Sequence, residues 1–183
     1  MKKLMILAAA VGMVAMMVGV SQAGVLKEGT QEIQLSGNYD PNAIDDYNYT
    51  LKLGYGRFIV DNLEVGVRGL LSGTDHVSLS GIQGLVEYNI PMSDKWGIFV
   101  QGTLGGLYGK VEDPNSGNDA DNETVAASVA GGVKYFLTET VAISGDVEYT
   151  KCADDVFVDS SDDKLELVDD NVEFNLALRF YLP

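Results

Sequence analysis

Hydrophobic and polar positions alternate with a period of two along most of this chain, and the alternation is clearest between Asp46 and Leu71. Tyr47, Tyr49, Leu51, Leu53 and Tyr55 fall on one face of an extended segment, with Asn48, Thr50, Lys52, Gly54 and Gly56 on the other. After Val60-Asp61-Asn62, which has turn chemistry, Leu63, Val65, Val67 and Leu71 oppose Glu64, Gly66, Arg68 and Ser72. This predicts a tight β-hairpin. Each arm is about 10 residues long, the length a tilted strand needs to cross a bilayer.

The same reading divides the region after Gly24 into eight strands with no helical period. The first is Gln31 to Tyr39, with Glu32, Gln34, Ser36 and Asn38 on its polar face, and Asp40-Pro41-Asn42 ends it. The hairpin supplies the next two. Strand four runs from Ser78 to Ile90, and because Val77 and Leu79 have the opposite parity to Ile82, Val86 and Tyr88, a bulge is expected near Ser80-Gly81. Strand five runs from Trp96 to Lys110, strand six from Thr124 to Leu137, strand seven from Val141 to Thr150 and strand eight from Asn171 to Leu182. Two acidic loops are expected, Glu112 to Asn122 and Cys152 to Asp169. Arg57 to Val65 aligns without gaps on Tyr135 to Ile143, and Tyr88 to Trp96 is a looser copy, so the hairpin is repeated. All three short turns then lie at one end, and the loops of variable length, including Ser72 to His76 and both acidic ones, lie at the other, where the acidic loops are expected to face the cell exterior.

Eight alternating strands suit either a soluble barrel with an apolar interior or a membrane barrel with an apolar exterior. The polar face favours the second. It carries Lys52, Glu64, Arg68, Glu87, Lys134, Asp146, Glu148, Glu173 and Arg179 among many small residues. The apolar face carries Tyr47, Tyr55, Tyr88, Trp96, Tyr108, Tyr135, Tyr149 and Phe180 near strand ends, where interfacial girdles are expected. The fold class is therefore all-β, an eight-stranded antiparallel up-and-down transmembrane β-barrel. Four cations and five anions on the polar face are nearly balanced. Charges held away from water are costly unless paired, so an ion network that closes the lumen is expected. Arg68 and Glu64 are too far apart along one strand for an assured contact, and adjacent strands are expected to supply their partners.

The N-terminus has another character. Lys2 and Lys3 precede an apolar run from Leu4 to Val20 and the small-residue site Ser21-Gln22-Ala23, so residues 1–23 read as a signal peptide and 24–183 as the barrel domain. The competing reading is an N-terminal membrane anchor. No cysteine follows the cleavage site directly, which argues against a lipoprotein, and Cys152 has no partner for an internal disulfide. The formal net charge of −15 becomes −17 once Lys2 and Lys3 leave, which argues against nucleic-acid binding. With 46% hydrophobic residues, the acidity does not signal disorder.

Leu53-Gly54-Tyr55-Gly56 before the turn Asp61-Asn62-Leu63, Gly84-Leu85-Val86-Glu87-Tyr88, Gly131-Gly132-Val133-Lys134-Tyr135-Phe136 and the final strand Leu176 to Leu182 carry a family likeness. In these the chain resembles the small eight-stranded outer-membrane β-barrel proteins of Gram-negative bacteria, the superfamily of the outer-membrane protein A barrel. The resemblance implies residence in the outer membrane, contact with the lipid bilayer and lipopolysaccharide, and insertion by the outer-membrane assembly machinery. A monomer is expected, and no cofactor is expected. That machinery reads a terminal aromatic residue in the family, whereas this chain ends Phe180-Tyr181-Leu182-Pro183.

Chemical motifs are sparse. His76-Val77-Ser78 faintly resembles the His-x-Ser pair of outer-membrane lipid A deacylases, but Asp75 points away and Glu87 lies about 30 Å farther along at roughly 3.3 Å per residue, so no triad forms. Asp113, Asn115, Gly117, Asp119 and Asp121 alternate somewhat like a calcium loop, without glycine at the sixth position or glutamate at the twelfth. The default reading of both acidic loops is a solvated loop, and the second reading is that Asp154, Asp155, Asp159, Asp162, Asp163, Asp169 and Asp170 loosely collect divalent cations against lipopolysaccharide phosphates. The expected function is a non-enzymatic envelope structural or surface-interaction role. A narrow passage for small solutes is the alternative, and a lipid-modifying hydrolase a distant one.

Overall fold

The computed structural model describes residues 26–40, 48–73, 77–112, 119–154, 157–161 and 164–183. These form β1 (Gln31–Asp40), β2 (Asn48–Val60), β3 (Leu63–Gly73), β4 (Val77–Pro91), β5 (Trp96–Glu112), β6 (Asp119–Phe136), β7 (Val141–Cys152), β8 (Phe157–Ser161), β9 (Lys164–Val168) and β10 (Asp170–Leu182). Eight of them close a barrel in the order β1, β10, β7, β6, β5, β4, β3, β2, every neighbouring pair being antiparallel. Closure leaves no free edge in the barrel wall.

The alternation seen in the sequence decides which side of the wall each residue occupies. Leu53, Val67, Ile82, Leu104, Phe174 and Leu176 stand outside, Ile82 at 72% and Leu176 at 76% exposure, whereas Lys52, Glu64, Arg68, Gln83, Glu87 and Arg179 are buried inside. A soluble barrel would have these reversed. The outward belt is the surface that lipid covers.

Three tight connections lie at one end. Asp61-Asn62 joins β2 to β3, and Asn62 adopts φ 66°, a left-handed conformation that asparagine tolerates well. The segment before β1 folds back over this end. Leu26 donates its N–H to Asn62 Oδ1 (3.2 Å) and its carbonyl accepts from Asn62 N (2.8 Å), while Glu28 N donates to Asp61 Oδ1 (3.0 Å).

The structure corrects four details. The second acidic loop, read as Cys152 to Asp169, contains the hairpin β8–β9, registered from Phe157 opposite Val168 to Ser161 opposite Lys164, because two β-prone runs flank Asp162-Asp163. The first is shorter than expected: β5 and β6 keep pairing to Glu112 opposite Asp119, so that loop narrows to residues 113–118, outside the described set. No bulge interrupts β4, whose register runs unbroken from Val77 to Pro91 against β5. Leu79 points inward because the lumen is apolar at that level. A register irregularity occurs instead on β2, between Phe58 and Val60.

Candidate functional site: the barrel lumen

Most inward residues of the middle strand segments are polar or charged, with Leu85, Phe99, Ala130 and Ala177 among them, and the narrow bore brings the charges together across the barrel rather than along one strand. Toward the long-loop end, Lys52 on β2 and Arg68 on β3 converge on Glu148 of β7. Lys52 Nζ lies 2.8 Å from Glu148 Oε2 and 2.8 Å from Glu173 Oε2. Arg68 forks onto Glu148 through Nη2 to Oε1 (2.6 Å) and Nη1 to Oε2 (3.1 Å), a bidentate geometry that lysine cannot reproduce. Its remaining donors reach Gln83 Oε1 (2.7 Å from Nη2), Gln101 Oε1 (3.3 Å) and Thr103 Oγ1 (3.3 Å). Asp146 accepts from Asn175 Nδ2 at 3.0 Å.

Toward the short-turn end, Lys134 on β6 and Arg179 on β10 hold Glu32 on β1 and Glu87 on β4. Lys134 Nζ is 2.5 Å from Glu87 Oε1 and 3.3 Å from Glu32 Oε2; Arg179 Nη1 is 2.7 Å from Glu32 Oε1 and 2.9 Å from Glu87 Oε2. Phe99 supplies a ring face to both cations, 5.2 Å from Lys134 Nζ and 4.4 Å from the Arg179 guanidinium carbon. Gln101 joins the two clusters: its Oε1 accepts from Arg68, and its Nε2 donates to Glu87 Oε2 at 3.2 Å.

Apolar groups cap the charges at either end. Leu79, Leu107, Ala126 and Cys152, with Leu70 against them, fill the lumen toward the long loops. Phe58, Ala142 and Tyr181, with Leu26 and Phe136, fill it toward the short turns. The Tyr181 ring centroid is 5.6 Å from that of Phe136 and 6.5 Å from that of Phe58.

All nine of the lumen charges read from the sequence are inward, but their grouping differs from expectation. Arg68 finds its anion across the bore on β7 and not on an adjacent strand, because in an eight-stranded barrel opposite walls are within reach of long side chains. Glu64 and Asp146 join no cation: among the described residues neither makes an ion pair, Asp146 being held by Asn175 and the buried Oε2 of Glu64 having no hydrogen-bond partner. Glu32 was missed as a network member although its parity placed it on the polar face. The aromatic residues Tyr55, Tyr88, Trp96, Tyr135 and Phe180 stand outside toward the short-turn end, where Trp96 and Tyr135 rings are 4.7 Å apart, and Tyr108 and Tyr149 stand outside toward the other. Tyr47 lies outside the described residues.

Many of the candidate residues on the long loops lie beyond what the structure describes. His76, Asp113, Asn115 and Gly117 lie outside the described residues, as do Asp155, Asp162 and Asp163, while Asp119 and Asp121 belong to strand β6 and not to a calcium loop. Glu87 is enclosed by Lys134 and Arg179, far from any partnership with Ser78. At the rim beyond Tyr149, the Lys151 ammonium bonds Asp169, which holds its pKa above the ordinary lysine value.

Comparison with known proteins agrees with this geometry. A family model described as an outer membrane protein beta-barrel domain matches residues 6–180. Among solved structures, the chain is similar to Neisserial surface protein A, with a TM-score of 0.58 at 13% identity over 82% of this chain and 94% of that one. It is also similar to the N-terminal β-barrel domain of Pseudomonas aeruginosa OprF, with a TM-score of 0.53 at 14% identity over 85% and 98%. Ail, the attachment invasion locus protein of Yersinia pestis, superposes with a TM-score of 0.50 at 13% identity over 84% and 98%. Identities this low establish likeness of fold alone. No curated protein sequence matches the chain significantly.

Proposed function

The chain belongs to the outer membrane protein β-barrel family and resides in the outer membrane, and on that premise we propose that it is a non-enzymatic envelope protein whose lumen is closed by its own charges. The observation that carries this reading is the filling of the bore. Two ion clusters, linked through Gln101, span it from Glu173 to Glu32, and an apolar plug lies beyond each. Water-filled passage needs hydrated walls, whereas here Lys52, Arg68, Lys134 and Arg179 are engaged with Glu32, Glu87, Glu148 and Glu173 at 2.5 to 3.3 Å. Buried charges satisfied in this way hold a structure in one arrangement.

Function then falls to the two outer surfaces. The apolar belt contacts lipid, and the long-loop end, bearing β8–β9 and both acidic loops, faces the exterior and meets lipopolysaccharide or a surface partner. The final strand β10 is the segment offered to the assembly machinery, with Phe180 outward two positions from its end. The closed wall favours a monomer, and residues 1–23 act as a removable signal peptide.

Single-channel recording of the refolded barrel in planar bilayers tests closure. The expected result is no steady channel from the unmodified protein and a leak from Arg68→Ala. Large, steady conductance from the unmodified barrel, unchanged by Arg68→Ala, would reject closure and favour passage of small solutes.

A further inference from the structure

We propose that Glu32, Glu64 and Glu87 form a cation-binding site within the lumen, taking up one further small cation, a hydrogen ion or a metal ion, with Glu64 as its principal ligand. The three carboxylates come from β1, β3 and β4, and one oxygen of each lies within 4.8 Å of the others. Such spacing suits oxygens on opposite sides of one ion, since hard cations bind oxygen at roughly 2.0 to 2.6 Å.

The count of charges is what demands the ion. The charged groups facing Glu64 are Glu32 from β1, Glu87 from β4, Lys134 from β6 and Arg179 from β10. Both cations are committed to Glu32 and Glu87, each bridging the two. Glu87 also accepts from Asn89 Nδ2 at 3.0 Å and Gln101 Nε2 at 3.2 Å, so its position is held from several sides. Two cations therefore neutralise two of three carboxylates. Glu64 is 3% exposed, and its Oε2 has no hydrogen-bond partner among the described residues. Arg179 Nη2 and Tyr181 Oη are likewise without partners and do not bond it. A buried ionised carboxylate with no counter-charge is among the most unfavourable arrangements a fold can hold.

The site is also shaped around that side chain. A Cβ on Gly56 of β2 would come within 1.8 Å of Glu64 Oε1, so glycine at this position leaves the carboxylate its space. The inference rests on this charge count and not on whether the lumen conducts, so a conducting barrel would leave it standing.

Equilibrium urea unfolding of the refolded full-length barrel in detergent, followed by the fluorescence of the single tryptophan, Trp96, tests the site. One series varies pH in EDTA. The other varies magnesium or calcium chloride at fixed pH. Glu64→Gln and Glu32→Gln are compared with the unmodified chain, because each leaves two carboxylates for two cations. Mass action predicts that the unfolding constant of the unmodified barrel shifts by up to tenfold for each tenfold change in activity of the bound cation, and that both variants lose this component. Loss confined to the pH series identifies a hydrogen ion, and loss in the metal series identifies a metal ion. Parallel titration of the unmodified protein and Glu64→Gln in both series would overturn the proposal. So would a Glu32→Gln barrel that folds and keeps the full dependence.

Discussion

Arg68→Ala is the sharpest probe of the lumen, because the environment of the missing side chain is known atom by atom. Arg68 is 2% exposed and forks onto Glu148, which is equally enclosed. Truncation removes both of those bonds and also strips donors from Gln83, Gln101 and Thr103. Breaking one partner from a buried pair costs about 3 to 5 kcal/mol, because the other charge stays buried. Glu148 is not wholly abandoned, since Lys52 Nζ remains 2.8 Å from its Oε2, but that ammonium then serves both Glu148 and Glu173. The loss should therefore lie near the lower bound, about 3 kcal/mol, or roughly two orders of magnitude in the unfolding constant. Arg68→Lys should recover only part of it, having one point charge in place of the fork. Urea unfolding in vesicles gives the number, with Lys151→Ala as a control that should change nothing measurable, because its pair with Asp169 lies in water. A loss under about 1 kcal/mol for Arg68→Ala would mean that water reaches Glu148 and replaces the guanidinium. The closed lumen would then be untenable.

Three further outcomes are expected. Protease added to whole cells should cut first within residues 112–123 or 152–170, and cleavage seen only after the outer membrane is opened would invert the assigned topology. Intact mass of the protein from envelope preparations should correspond to a chain beginning at Gly24, and retention of residues 1–23 would favour the anchor reading. Gly105→Ala and Gly106→Ala should differ although the residues are neighbours: a Cβ at Gly105 would lie 2.1 Å from the Ile82 carbonyl oxygen, whereas at Gly106 it would meet nothing within 4 Å. The first should cost about 1 to 3 kcal/mol by overpacking and the second almost nothing in the same unfolding assay; equal effects would refute the assignment of faces on β5.

Parity tells which side of a barrel wall a residue occupies, but nothing about what stands opposite. Lys52, Arg68, Lys134 and Arg179 could be placed inside from alternation alone, and so could the outward Leu53, Ile82 and Leu176. That much of the fold was legible because over the middle of each strand the outer side is largely apolar and the inner side largely polar, Leu85 and Phe99 being inward exceptions that keep the parity. The pairing of Arg68 with Glu148 depends instead on the stagger accumulated between β3 and β7, and 80 residues separate the two in sequence. Glu32 shows the same limit: its polar parity was visible, whereas its meeting with Arg179 follows from closure of β1 on β10. At the ends that contrast fails. Leu79 and Leu107 are inward and apolar, and a phase error at Leu79 on one strand resembled a bulge. Yet Leu107 pairs with Gly81, two residues from Leu79, so the two phase errors sit side by side on β4 and β5. A bulge shifts one strand, whereas an apolar plug places unexpected side chains at one level on several strands. The coincidence is therefore the mark of the plug. Its consequence reaches the ion clusters, since Leu79, Leu107, Ala126 and Cys152 stand between Arg68 and the outer water, and attraction between charges strengthens as water is excluded. Replacing Leu107 with Asp should accordingly weaken the Arg68 to Glu148 pair without touching either residue.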